Sequence, residues 1–325
     1  MANTQPLGKN GPAIPRLGYG AMAVGGYYGA VDEEDAVATV RHAIDRGLMI
    51  DTADAYGEGH NESLVAKAIA GQRRAAFVAT KFGIVFAEGE TGSEVPTGWG
   101  FSLTINGRPD YVNRALDASL KRLGGDYIDL YYAHFPDPSV PIEETVGAMA
   151  DAVKAGKVRH LGLSNVNAGQ LRRAATVHPI AAVQYEYSLW RREAESEILP
   201  AAREVGAALV AWSPLGAGFL GGSVEIKEGD FRAVMPRFNA ENLAHNRDRF
   251  APLGGFAEKL GVTSAQLALA WLLHQGDDVF AIPGTRKKAR IDENAKAADI
   301  EISADMLAEM NEIFSVGTAV GETLL

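Results

Sequence analysis

The strongest constraint on the fold of this chain is a series of eight short apolar runs, separated from one another by segments with helical periodicity. They read LGYGAM (17–22), LMID (48–51), FVATK (77–81), DLYYAH (129–134), HLGLSN (160–165), AVQYE (182–186), ALVAWS (208–213) and VFAIPGT (279–285). A strand covered on both faces reads as a nearly continuous hydrophobic run. Strand–helix alternation predicts parallel pairing through right-handed crossovers. Eight such units close into a (β/α)8 barrel, whereas five to seven favour an open doubly wound sheet. No linker, low-complexity tract or charge run divides the 325 residues, so the reading is one α/β barrel domain over 1–325.

The segments between the runs carry helix signals. Asp32 opens a segment with Asp35 in a capping-type spacing, and Val37, Val40 and Ile44 fall on one stripe. Val112, Leu116, Leu120 and Leu123 align over 111–123, and Val146, Met149, Ala150 and Val153 over 143–156. Gly47, Gly71, Gly124, Gly156 and Gly206 stand just past five such segments, where a C-terminal glycine belongs. Two connections, 83–108 after the third strand and 214–247 after the seventh, are oversized. Long loops in a compact domain are commonly lids or binding loops, and both emerge on the face where a barrel collects its strand exits.

Composition narrows the function. A net charge of −10 argues against a nucleic-acid or anionic-membrane surface. The chain has no cysteine, which excludes disulfides, a thiolate nucleophile and Cys-ligated metal centres. No apolar stretch approaches the roughly 20 residues of a membrane span. The opening MANTQPLGKNGP has no basic region followed by an apolar one, so a cytoplasmic location is expected. A small-molecule partner is therefore expected, and no local signal chooses between a monomer and a homo-oligomer.

Four of the apolar runs stop on the polar residues Asp51, Lys81, His134 and Asn165, and Tyr56 follows Asp51 in the next loop. A tyrosine hydroxyl titrates near about pH 10, so it serves as a general acid near neutrality only with help. A lysine ammonium stabilises the phenolate, and Lys81 is the supplier within reach of a neighbouring exit. Asp51 would hold Lys81 charged and oriented, and His134 would hydrogen-bond a substrate oxygen. Together they can protonate a carbonyl oxygen while another group attacks its carbon. Each residue alone is unremarkable, but a barrel brings successive strand exits together. A metal site at Asp51, Asp54 and His60 is the weaker reading, because the spacing is loose and lacks a helical His pair.

Gly216-x-Gly218-x-x-Gly221 follows a strand and matches a dinucleotide fingerprint formally. The residues after Gly222 lack a helical apolar period, so these glycines read as a pliable loop over a ligand. The better phosphate site is IPGTRKKARIDEN (282–294), a strand exit with Gly284 and Thr285 leading to a helix start that carries Arg286 and Arg290. Helix N-termini bind anions, and arginine forks add bidentate hydrogen bonds.

With these motifs assembled, the chain resembles the aldo-keto reductase superfamily from about residue 10 to about 315. The resemblance rests on GYGAM, DTADAYG, ATKFG, GGDYIDLYYAH, GKVRHLGLSN, VQYEYSLWRR, AWSPLGAGFL and IPGTRKKARIDEN. The last four are similar to the bacterial and plant branch that includes perakine reductase and the auxin-induced-type reductases. It implies an NADP(H)-dependent (β/α)8 barrel that reduces aldehydes or ketones, with a catalytic tetrad at Asp51, Tyr56, Lys81 and His134. It further implies that Ser164, Asn165 and Gln184 hold the nicotinamide carboxamide and that Trp212, in place of the commoner tyrosine, stacks on its ring. Ser213, Leu215, Gly216 and Gly218 would line the pyrophosphate loop. Thr285, Arg286 and Arg290 would grip the 2′-phosphate, with Glu293 and Asn294 near the adenine. Gly284 stands where some relatives carry a lysine, which leaves NADH as the weaker alternative cofactor to NADPH.

Candidate substrate residues are Tyr27, Tyr28, Phe82, Trp99, Phe135 and Trp190. These aromatics point to an apolar or ring-shaped carbonyl compound. Two other functions compete. A nucleotide-binding redox sensor resembling potassium-channel β subunits would bind cofactor with negligible turnover. A barrel lyase or isomerase using Lys81 as a Schiff base would leave Tyr56 and the basic helix start idle.

Overall fold

Each of the eight apolar runs contributes one strand to a single parallel sheet in the computed structural model, which describes residues 4–222, 224–226 and 228–324. The strands are β1 (Tyr19–Gly20), β2 (Ile50–Asp51), β3 (Val78–Phe82), β4 (Ile128–Ala133), β5 (Val158–Ser164), β6 (Ile180–Glu186), β7 (Ala208–Trp212) and β8 (Val279–Ala281). They pair in chain order, with Ile50 against Val78, Ala79 against Leu130 and Val183 against Leu209 in register. A parallel bridge from Leu17 to Ala281, with Gly18 N donating to Ala281 O at 2.8 Å, joins the last strand to the first. The sheet is thus a closed barrel.

The surrounding helices are α1 (Glu33–Asp45), α2 (His60–Ile69), α3 (Pro109–Leu123), α4 (Ile142–Lys154), α5 (Ala168–Val177), α6 (Ile198–Val205), α7 (Ala240–Phe250), α8 (Pro252–Leu260), α9 (Ser264–Leu273), α10 (Lys288–Ala295) and α11 (Ala304–Ile313). Asp32 caps α1 as its spacing predicts, accepting from the backbone N–H of Glu34 and Asp35. The five post-helix glycines all have positive φ, between 64° at Gly124 and 79° at Gly71. No described helix is long and apolar enough to cross a membrane.

The interior has two layers. Val40, Ile44, Leu116, Val146 and Met149 join the outer core between helices and sheet. Met49, Ala79, Leu130, Tyr132, Ala182 and Phe280 fill the barrel itself. Burying each large side chain of this kind contributes about 1.5–3 kcal/mol. Gly162 makes room for one of them. A Cβ there would sit 2.4 Å from the Tyr132 ring, so the strand must lack a side chain at that level. A hairpin of Thr4–Pro6 against Ala13–Pro15, with no counterpart among the eight runs, adds Leu7 and Ile14 to the same inner cluster.

The two oversized connections are more ordered than their sequences suggest. The first contains an antiparallel hairpin, Ser93–Pro96 with Ser102–Ile105, whose turn carries Trp99. The second contains 3₁₀ turns at Phe219–Gly221, Phe231–Val234 and Pro236–Phe238 and already enters α7 at Ala240.

Candidate active site

The strand exits converge on one buried ammonium. Lys81 sits on β3, fully buried, one residue before its end. Its Nζ donates to Asp51 Oδ1 at the end of β2 (2.5 Å), to the Thr52 carbonyl (2.8 Å) and to Tyr56 Oη (3.4 Å). The other carboxylate oxygen of Asp51 accepts from Gln184 Nε2 on β6 at 2.7 Å. Asp51 therefore ties three strands together, and removing any partner would leave a buried polar group unmatched. Because Tyr56 Oη accepts from Lys81, its own O–H is free to donate elsewhere.

The loop that carries Tyr56 is pinned from several sides. Thr52 Oγ1 donates to Asn61, Asn61 Nδ2 donates to the Ala21 carbonyl, and Asp54 N–H donates to the Lys81 carbonyl. Tyr27 adds two more ties: its hydroxyl donates to the Ala55 carbonyl and accepts from Gly57 N–H. Neither Asn61 nor this second role of Tyr27 shows a local signal, since both depend on which loops meet at the mouth.

His134 follows β4 and is 8% exposed, its ring centroid 6.0 Å from that of Tyr56 and stacked on Phe135. Among the described residues its Nδ1 has no hydrogen-bond partner. Burial, reinforced by the charge on Lys81, holds the imidazole well below the ordinary histidine range, so it is neutral at pH 7. Burial pushes the Lys81 ammonium down, but Asp51 and Tyr56 more than restore it, and the net shift is upward.

Lys81 lowers the Tyr56 pKa as expected, but it does not bring the phenol below its ordinary range. Burial raises it, Lys81 pulls it back, and the net displacement is upward. The physical reason is that complete burial outweighs the Lys81 charge, and the Asp51 carboxylate adds a smaller rise. The phenol is therefore fully protonated at neutral pH, and Lys81 makes its proton easier to release than burial alone would allow.

Asp51, Tyr56 and His134 line one end of a cleft of about 620 Å³, within the usual size of a small-molecule site. Ser164, Asn165, Gln184, Trp212, Ser213 and Leu215 line it along the exits of β5 to β7, and Gly216 and Gly218 continue the wall. A Cβ on Gly216, whose φ is 55°, would lie 2.2 Å from the Trp190 ring, so the glycine loop packs directly on that indole. Gly284, Thr285, Arg286 and Arg290 line the same cleft. Gly284 has no room for a side chain: a Cβ would lie 2.8 Å from the Gly20 carbonyl oxygen and 3.0 Å from Ala23. The β1 and β8 exits of this chain are in contact there.

Glu293 and Asn294 do not line the cleft. Asn294 is 6% exposed, and Glu293 accepts from Thr263 Oγ1 at 2.9 Å and pairs with Arg290 Nη1 at 2.5 Å. The helix α10 starts at Lys288, so Arg286 precedes it and Arg290 lies in its first turn.

Of the candidate substrate residues, Tyr27, Tyr28, Trp99, Phe135 and Trp190 line the cleft. Phe82 does not. It is fully buried, stacked on Tyr131 at 4.8 Å, and belongs to the core between sheet and helices. Lys81 points into the barrel, so its neighbour in the strand must point out. The sequence reading also missed Phe101, Phe231 and Arg237, which line the cleft from the long loops. Phe231 contacts Tyr27 and Trp99 edge-on at 5.7 and 5.6 Å, an aromatic wall assembled from three separate connections. No local periodicity announces such a wall.

Residues 16–314 match the model of the aldo/keto reductase family. A protein of Glycine max described as probable aldo-keto reductase 1 is 42% identical over 99% of this chain and 92% of its own length. The glycerol dehydrogenase of Gluconobacter oxydans superposes with a TM-score of 0.81 at 28% identity, over 99% of this chain and 98% of that one. An aldo/keto reductase from Klebsiella pneumoniae in complex with NADP and acetate superposes with a TM-score of 0.73 at 26% identity, over the whole of both chains. This chain belongs to the aldo/keto reductase family.

Proposed function

We propose that this protein is an NADPH-dependent carbonyl reductase, converting an aldehyde or ketone to the alcohol reversibly, with Tyr56 as the proton donor. One observation carries the reading. The Lys81 ammonium is shared between the Asp51 carboxylate and the Tyr56 hydroxyl beneath a cleft that His134 also lines.

The cleft suits an extended dinucleotide. Its walls include Gly216 and Gly218 on one loop, and Arg286 and Arg290 on another, where arginine forks would meet a phosphate. Ser164, Asn165, Gln184 and Trp212 would hold the nicotinamide end. When bound, the cofactor supplies the hydride that reduces the carbonyl carbon.

The chain's own residues handle the oxygen. Tyr56 donates its proton to the carbonyl oxygen, and the Lys81 ammonium stabilises the phenolate that remains. Asp51 keeps Lys81 charged despite complete burial. His134, neutral, carries one N–H that orients the carbonyl oxygen toward Tyr56. The Tyr27, Trp99 and Phe231 wall excludes water and favours an apolar or ring-bearing substrate.

Tyr56→Phe removes the proton donor and keeps the ring. Turnover, followed as loss of NADPH absorbance with an aromatic aldehyde, is expected to fall by about 10²–10⁴-fold. NADPH affinity, measured by fluorescence quenching, is expected to stay within about twofold of wild type. Near-full turnover by the variant would overturn the assignment.

A further inference from the structure

Trp212 does more in this fold than present a ring face. It ends β7, and Asn165 follows β5 with β6 between them. Across that gap Trp212 Nε1 donates to Asn165 Oδ1 at 3.2 Å. The amide nitrogen of Asn165 donates in turn to the His134 carbonyl and to Ser164 Oγ, both at 3.1 Å. The exits of β4, β5 and β7 are thus joined by one side-chain amide, and both of its donors and its acceptor are engaged.

The backbone is shaped to permit this. Asn165 has φ 56° and Ser213, next to Trp212, has φ 52°. Non-glycine residues seldom adopt this left-handed region, asparagine being among the more tolerant. Such conformations persist only where surrounding contacts hold them, and they collect at functional sites. The tether also depends on the residue type. An indole carries its donor on the five-membered ring, two bonds from the ring carbon that bears Cβ. Phenylalanine has no donor, and tyrosine places its hydroxyl at the far end of the ring. The stacking surface is common to all three side chains, whereas the hydrogen bond requires tryptophan.

We propose that Trp212 is a positioning residue. Its indole N–H fixes the tilt of its own ring and the orientation of the Asn165 amide, so the surface that receives the nicotinamide is set before cofactor arrives. The proposal rests on the reading above that these residues face the nicotinamide. Its consequence is specific to this chain. Replacing Trp212 with a residue that keeps an aromatic face should loosen cofactor binding and let the nicotinamide present either face.

The test begins with the cofactor-free full-length protein, its tryptophans labelled with ¹⁵N at the indole. The Trp212 resonance is identified by its disappearance in Trp212→Phe. Asn165→Gly accommodates the positive φ without strain and removes Oδ1. Asn165→Asp keeps an acceptor for the indole. The Trp212 indole proton is expected to shift upfield and exchange roughly fivefold faster with solvent in Asn165→Gly, the change expected for losing one neutral hydrogen bond. It should remain near its wild-type position in Asn165→Asp.

NADPH affinity is then compared for wild type, Trp212→Phe and Trp212→Tyr by calorimetry. Both variants should bind roughly fivefold more weakly, again the worth of one such bond. With NADPH deuterated on one face of the nicotinamide, wild type should transfer hydrogen from a single face and Trp212→Phe from both. An indole proton unmoved by Asn165→Gly overturns the tether. A tether present with unchanged affinity and face selectivity in Trp212→Phe overturns its positioning role. If wild type binds no NADPH while the indole proton still responds, the cofactor reading fails and the positioning role fails with it, although the tether stands.

Discussion

Asp51→Asn tests the centre of the site with little change in shape. The carboxylate accepts from Lys81 through one oxygen and from Gln184 through the other. An asparagine can accept from one of them only, and its NH2 then faces a second donor. Lys81 is left fully buried with the Thr52 carbonyl and Tyr56 Oη as partners. Breaking a buried pair by removing one member costs about 3–5 kcal/mol. At about 2.1 cal/mol/K of unfolding entropy per residue, a loss of about 4 kcal/mol over 325 residues lowers Tm by about 6 °C.

The pH dependence carries the sharper sign. In the wild type the folded Lys81 pKa lies above its ordinary value, held there by Asp51 and Tyr56 against burial. That stabilisation is complete below the unfolded pKa of about 10.4 and is lost only as pH rises through the higher folded value. Without Asp51, burial dominates and the folded pKa falls below the unfolded one. The charged lysine then destabilises the variant fully below the depressed value, and the penalty is relieved as pH rises from there toward about 10.4. Thermal unfolding of both proteins from about pH 7 to 10 should show the variant's deficit shrinking with rising pH. The alkaline limb of its kcat profile should move to lower pH. A deficit constant across that window would refute the claim that Asp51 keeps Lys81 charged.

Other substitutions separate packing from chemistry. Gly162→Ala forces a methyl group against the fully buried Tyr132 ring and should cost about 1–3 kcal/mol in denaturant unfolding. Phe82→Leu should destabilise the fold by about 1 kcal/mol while leaving the KM for carbonyl substrates unchanged. A changed KM would return Phe82 to the substrate site. Arg290→Ala should weaken NADPH about tenfold and NADH little, as the loss of one charge-assisted phosphate contact predicts. Equal losses in calorimetry would remove Arg290 from 2′-phosphate recognition.

The barrel was legible because its signals are local. Eight buried strands each need a run of apolar residues, and each helix needs a stripe, a cap or a terminal glycine. These patterns follow from backbone periodicity and the cost of burying unsatisfied polar groups. The polar residues Asp51, Lys81 and His134 were conspicuous for the same reason, since each ends an otherwise apolar run. The hairpin within 83–108 and the helical start at Ala240 were not, because both lie in polar, glycine-rich sequence whose order depends on what it packs against.

The residues therefore determined by themselves that the chain forms eight strand–helix units and which groups stand at their exits. Tertiary structure decided what those groups meet. Closure between Leu17 and Ala281, and the in-register pairing of β2 to β6, bring Asp51, Lys81 and Gln184 into hydrogen-bonding distance. The same register turns Phe82 outward and joins Trp212 to Asn165 across an intervening strand. It also makes burial, rather than the neighbouring ammonium, the larger influence on Tyr56. Strand direction and charge environment depend on distances between residues far apart in the chain, and local periodicity contains no measure of those distances.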